Sequence, residues 1–389
     1  MTALDDVRIL DLSRLLPGPF CTLLLADLGA DVIKIEDTET GDYLRWAPPL
    51  AGEYSAMFHP LNRNKRSVAL NLKTDSGREA FLRLVDTADV VVESFRPGVM
   101  DRLGLGWEVL HERNPSTILC SISGYGQDGP YRDRAGHDLN YAALAGVLSL
   151  TASASGDPAM PGVQAGDLGG GALHAAVAIL AALHQRMRTG KGQRCDVAML
   201  DGLVSWMAPN AALYFAGAGV PGPNTLTLNG RHPCYRIYAC QDGHMALGAL
   251  EPKFWQAFVE AVGLPHLAAS AFTDGDEGSS VAAEIEGVMR QRTRAEWTST
   301  FAGLDVCCEP LLGLDETFDD PQVQHRGMEL QAGVGGPLPQ CASPLRLSDS
   351  AFEVRRLAPG YAQHTRELLT EVGYEAAAVD ALTAEGAAR

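Results

Sequence analysis

The sequence predicts an α/β protein: a large domain on a doubly wound, mostly parallel, Rossmann-like sheet, with a smaller α+β domain. Three observations predict it. Short apolar strands alternate with helix-length segments through the first 200 residues, the order that covers both faces of a parallel sheet with helices. A Pro and Gly cluster at 216–223 then interrupts the alternation. Beyond it, two strand-like runs flank Gln241-Asp242-Gly243, a hairpin signal.

The elements follow in order. Val7 to Leu12 reads as a strand, Phe20 to Leu28 as a short apolar helix after Pro17-Gly18-Pro19, and Asp31 to Glu36 as a second strand, completing a βαβ unit. Ser67 to Leu72, the helical 77–87 and the apolar Asp89 to Glu93 repeat the pattern. Trp107 to Asn114 and Thr117 to Ser121 repeat it again. A long helix from Gly171 to about Arg188 ends at Gly190, which suits a left-handed C-cap, before the strand 193–198. These signals place a large domain at 1–200, a linker at 201–224 and a small domain at 225–320. Residues 366–382 read as terminal helices.

Composition narrows the functional classes. At 389 residues with 46% hydrophobic and 20% charged residues, the chain has ample material for a core. A formal charge of −17 argues against nucleic acid or anionic membrane surfaces as partners, since both need a positive field. Met1 to Asp6 lacks the basic leader of a secretory signal. Apolar stretches such as 172–183 are interrupted by His174 and read as too short to span a bilayer. The eight cysteines form no C-x-x-C pair and no zinc-ligand spacing, so buried free thiols in a reducing cytoplasm, and no metal, are expected.

The basic residues are uneven. Arg63, Lys65, Arg66 and Lys73, then Arg96, Arg102, Arg132 and Arg134, make a basic N-terminal third, suited to a bound anion or to a solvated face. Gly124-Tyr125-Gly126-Gln127-Asp128-Gly129 matches a dinucleotide fingerprint in letters only. Pro130 and the polar 131–134 follow, where that fold requires a helix.

Three acid-base candidates sit at glycine-marked junctions before helices: His137, Asp167 and Glu251. Asp167 precedes Gly169-Gly170-Gly171 and the long helix, where free backbone N–H groups would stabilise a carboxylate or an oxyanion. Glycines there would also let a ligand approach the backbone. Each has a plainer alternative: Asp167 as an N-cap, His137 as a structural histidine beside Asp138, and Glu251 before Pro252 as an ordinary helix start.

Several segments carry a family resemblance. Leu15 to Phe20, Leu25 to Glu36, Asn62 to Ser67, Phe95-Arg96-Pro97-Gly98-Val99, Ser123 to Pro130 and Thr189 to Gln193 resemble the family III CoA transferase (CaiB/BaiF) superfamily. The match runs from near residue 7 to about 265. Within it, Ala135 to Tyr141 and Gly248 to Phe254 resemble the α-methylacyl-CoA racemase branch.

The resemblance implies an acyl-CoA thioester substrate and no cofactor beyond CoA itself. It implies His137 and Asp167 as the two α-carbon bases, Glu251 orienting His137, and Asp138 supporting the site. Arg63, Lys73, Arg96 and Arg102 would hold the CoA phosphates. It further implies that residues 321–389 return to the large domain, and that an intertwined homodimer brings Glu251 of one subunit to His137 of the other.

Racemising a carbon beside a thioester needs bases on opposite faces and a stabilised enolate, which fits these residue types. A transferase would instead use Asp167 as a nucleophile. Two departures keep that alternative open: Val163 stands where racemases have asparagine, and Asn229 to Pro233 replaces a small glycine-rich turn. A third class, a non-catalytic CoA-binding subunit, would be expected to lack part of the set His137, Asp167 and Glu251.

Overall fold

The computed structural model describes residues 2–153, 156–334 and 336–389. The apolar runs form β1 (Arg8–Asp11), β2 (Asp31–Glu36), β3 (Lys65–Ala69), β4 (Val90–Glu93), β5 (Ile118–Ser123) and β6 (Arg194–Ala198). All pair in parallel, in the order β3-β2-β1-β4-β5-β6. The chain starts in the middle, builds outward through β2 to β3, then returns past β1 to build the other half. The order therefore reverses between β1 and β4, the switch point at which an open α/β sheet leaves a crevice beyond its carboxyl ends.

The helices lie between the strands. α1 (Pro17–Asp27) begins at the proline, three residues earlier than expected, because Pro at the first turn costs no intrahelical hydrogen bond. α2 (Asp75–Val85) is capped by Thr74, whose hydroxyl accepts the Gly77 N–H at 3.1 Å. It buries Ala80, Phe81, Leu84 and Val85 along one face. α3 (Trp107–Arg113) and α4 (Asp138–Leu144) follow.

Residues 165–189 form one continuous helix, wide over Ala165–Leu173 and regular in α5 (His174–Thr189), ending on left-handed Gly190. The wide turns lengthen it beyond the stretch expected from hydropathy. Its 25 residues are long and apolar enough to cross a membrane by length and composition, but 56% of the most apolar window is buried inside the protein.

The chain divides into two compact units: residues 1–145, 162–206 and 322–389 form one, and 146–161 with 207–321 the other. The stretch 201–224, expected as a linker, is largely helical: α6 (Met199–Trp206) belongs to the first unit and α7 (Ala208–Phe215) to the second. In the first unit, Leu368, Leu369, Val379 and Leu382 pack into one core with Leu10, Ile33, Val68, Phe81 and Val91. Each such side chain fully buried contributes about 1.5–3 kcal/mol. In the second, β7 (Tyr235–Cys240) and β8 (Gly243–Gly248) form the expected hairpin, with Gly243 inside the second strand, and β9 (Cys308–Pro310) lies beside β8. Its core gathers Trp255, Phe258, Trp297 and Phe301.

Candidate active site

A cavity of about 640 Å³ opens in the first unit at the carboxyl edge of the sheet. Arg14, Leu15 and Pro17 after β1 form one wall, and Ser94 to Pro97 after β4 another, so it sits at the switch point. Residues after β5 and the start of α4 complete it: Tyr125, Arg132, Arg134, His137 and Tyr141, with Asp167 across from them in sequence. The structure thus brings His137, Asp167 and Arg96 to one cavity, about the size that holds a drug-sized ligand.

Asp167 is held in place by Asp138. The Asp138 carboxylate accepts the backbone N–H groups of Gly166 (2.6 Å) and Asp167 (3.0 Å), capping the helix that carries Asp167. These two N–H groups are therefore taken by Asp138, not free for an oxyanion as the sequence suggested. Burial, reinforced by the Asp138 charge and opposed by His137, pushes Asp167 up to about 6. A carboxylate so raised is a stronger base than an exposed one and is still mostly ionised above neutrality.

His137 is the N-cap residue of α4, its backbone N–H donating to Asn140 Oδ1 at 2.9 Å. Its imidazole is exposed and has no hydrogen-bond partner among the described residues. Beneath it, Tyr141 donates to the Gly136 carbonyl at 2.6 Å and meets Tyr125 edge-on at 5.2 Å. Burial, with Tyr125, Asp167 and Asp138 adding to it, pushes the Tyr141 phenol up to about 12, so it stays a neutral wall.

The glycine run plays a different part from the one expected. A side chain on Gly169 would strike the Trp206 ring, one on Gly170 the Met199 carbonyl at 2.6 Å, and one on Gly171 the Met199 side chain at 2.9 Å. The glycines let α6 press against the helix bearing Asp167, rather than admitting a ligand. Gly124 in the dinucleotide-like motif is needed because Tyr141 packs 2.6 Å from where its side chain would begin, and no helix follows until α4.

The four cations assigned to CoA separate. Arg63 does not fit that role: it is 2% exposed, its guanidinium pairs with Asp27 at 2.6 Å, and Nη1 donates to the Cys341 carbonyl at 2.9 Å. Its charge is consumed inside the fold. Lys73 is exposed on the turn before α2 and is not among the cavity residues. Arg96 lines the cavity. Arg102 stands beside it: Arg102 Nη1 and Arg132 Nη2 lie 3.3 and 3.2 Å from where a Gly98 side chain would begin. Sequence reasoning missed Arg14 and Tyr43, which line the cavity from loops with no local signature.

Glu251 belongs to the second unit. It is exposed and precedes the helix Pro252–Ala261 in extended backbone, its carbonyl accepting the Phe254 and Trp255 N–H groups. A smaller cavity of about 220 Å³ shares Arg96 and includes Glu93, which burial pushes up to about 7 despite hydrogen bonds from Ser121 and the Phe95 N–H. Among the described residues, no cluster of His, Cys, Asp or Glu is arranged to hold a metal ion.

The model of CoA-transferase family III matches residues 4–365. The chain is 37% identical over 401 residues to a succinyl-CoA:mesaconate CoA-transferase of Haloarcula marismortui, covering 96% of this chain and 98% of that one. It is 34% identical over 378 residues to the human alpha-methylacyl-CoA racemase, covering 96% and 94%. The crystal structure of a CAIB/BAIF family protein from Brucella suis matches with a TM-score of 0.84 at 33% identity, over 95% of this chain and 99% of that one.

Proposed function

The chain belongs to CoA-transferase family III, and on that premise we propose that it racemises the α-carbon of 2-methylacyl-CoA thioesters. The observation that carries this reading is the presence of His137 and Asp167 in one cavity, with Asp167 raised to about 6. One base takes the α-proton, and the C–H electron pair moves into an enolate at the thioester oxygen. The conjugate acid of the other base returns a proton to the opposite face, so no net bond is made or lost. Arg96, with Arg102 and Arg132 beside it, supplies positive charge for the CoA phosphates. Glu251 enters this reading as the group that orients His137, and the active protein is a homodimer.

One observation favours a second reading. Relatives named as CoA-transferases match the chain as well as the racemases do. In that reading the Asp167 carboxylate attacks the thioester carbonyl, expels the CoA thiolate and forms an acyl-Asp167 anhydride. The thiolate then attacks the Asp167 carbonyl, releasing the first acid and leaving an Asp167-CoA thioester. A second carboxylate displaces the thiolate to form a new anhydride, and the thiolate attacks the second acid's carbonyl to give its CoA ester and free Asp167.

Incubation of a single 2-methylacyl-CoA epimer in D₂O separates the two. The racemase reading expects deuterium at the α-carbon and both epimers in the product. Transfer of CoA to added succinate, with an intermediate trapped by hydroxylamine and no deuterium uptake, would replace it with the transferase reading.

A further inference from the structure

Along β2, Val32, Lys34 and Glu36 alternate with Ile33 and Ile35, and the isoleucines enter the helix-covered core. Lys34 thus places an ammonium where water does not reach, since the residue is fully buried. A buried charge persists only where partners compensate it. The Asp11 and Glu36 carboxylates help to hold the charge, and two groups meet the ammonium directly. Nζ donates to the Ser13 carbonyl at 3.0 Å and pairs with Asp42 at 2.8 Å.

These partners come from two separate loops. Ser13 precedes Arg14 and Leu15 in the loop after β1, and Asp42 precedes Tyr43 in the loop after β2; Arg14, Leu15 and Tyr43 line the large cavity. Leu15 holds a left-handed φ of 62°, which a side-chain-bearing residue keeps only when its surroundings fix it. Ser13 is fixed at both ends, its N–H donating to Asp11 Oδ1 at 2.9 Å and its carbonyl accepting from Lys34. On the other side, Asp42 Oδ1 accepts the Leu44 N–H at 3.0 Å, starting the turn that carries Tyr43. Among the described residues, no other hydrogen bond or ion pair joins segment 12–17 to segment 42–46.

We propose that Lys34 is a positioning residue that clamps the two rim loops of the cavity together and so sets its affinity for acyl-CoA. It touches no reacting atom. It acts through Arg14 and Tyr43, whose side chains are exposed at the rim and whose spacing the ammonium fixes. The affinity part rests on the reading of the cavity as the acyl-CoA site; the clamp itself does not.

The test uses the full chain, Lys34→Met, and Arg66→Met as comparator. Arg66 is also buried and ion-paired, but its partners Asp31, Glu367 and Glu371 lie away from the rim. In the ligand-free protein, Lys34→Met should speed amide exchange by about tenfold in both rim segments, 14–17 and 43–46, while Arg66→Met leaves their exchange near wild type. The Kd for acetyl-CoA should rise by about tenfold in Lys34→Met, and adding Arg14→Ala should cost less there than in wild type. Unchanged exchange in either segment, or full additivity with Arg14→Ala, overturns the proposal. Should Lys34→Met fail to accumulate folded, Asp42→Asn removes the same ion pair at constant size, and the same exchange readout decides. A wild-type protein that binds no acyl-CoA would overturn the proposed function, while the exchange result still decides the clamp.

Discussion

Asp138 governs Asp167 in two ways at once: its carboxylate accepts the Asp167 backbone N–H at 3.0 Å, and its charge helps raise the Asp167 pKa. The two effects are separable. Asp138→Asn keeps an oxygen for the cap but removes the charge, so the acidic limb of the activity profile, set by ionisation of Asp167 near 6, should move to lower pH. Asp138→Ala removes the cap as well and should lower kcat by about tenfold or more at every pH. A pH–rate profile of both variants checks this; an unmoved acidic limb in Asp138→Asn would separate Asp138 from the tuning of Asp167.

The raised pKa of Asp167 has a stability consequence. Its folded value of about 6 lies above the ordinary 3.8, so the native state binds the proton more tightly than the unfolded chain does. The corresponding stability is present below about pH 4 and is lost as pH rises through about 6. Asp167→Asn carries no such loss. Its Tm should exceed wild type by about 2–4 °C at pH 7.5, with the gain disappearing at pH 4, although activity is abolished. Thermal melts at the two pH values decide it.

Arg63→Ala should act on folding and not on affinity. Removing the guanidinium leaves Asp27 buried without its main partner, a change that typically costs about 3–5 kcal/mol. Burial already pushes Asp27 upward, and Arg63 is the first group to counter it. A large drop in the urea midpoint with an unchanged Kd for acetyl-CoA is expected. A Kd raised in a fully folded variant would return Arg63 to the ligand site.

Arg96→Ala and Arg132→Ala should do the reverse. Both side chains border the cavity, and neither is buried. Each replacement should raise KM for an acyl-CoA by about tenfold with kcat nearly unchanged, an effect that shrinks as salt screens the wild-type contact. Steady-state kinetics at low and high ionic strength measure it.

Gly202→Ala should loosen the site from behind. The new methyl would fall 2.2 Å from the Gly170 carbonyl, backbone that cannot turn aside. The helix carrying Asp167 must shift away from α6, so a loss of about 3 kcal/mol in stability together with reduced kcat is expected. Unfolding curves and kcat on the same preparation test whether the two fall together.

The sequence by itself determined most strands and helices, the switch in pattern before the second unit, the family and three acid-base candidates, His137, Asp167 and Glu251. These are properties of short windows: a period of two or 3.6, a proline at a helix start, a glycine at its end, a histidine and an aspartate at junctions. The tertiary structure decided which of those groups are available. Arg63 and Arg96 look alike as basic residues in a basic third, yet Asp27, 36 residues before Arg63, neutralises the first inside the fold and leaves the second at the cavity. The N–H groups beside Asp167 look free until Asp138, 29 residues earlier, occupies them. Gly169 to Gly171 look like a ligand cradle until α6 fills the space above them. Availability of a charge or a donor depends on what packs against it, and those partners arrive from distant parts of the chain only when the sheet is assembled.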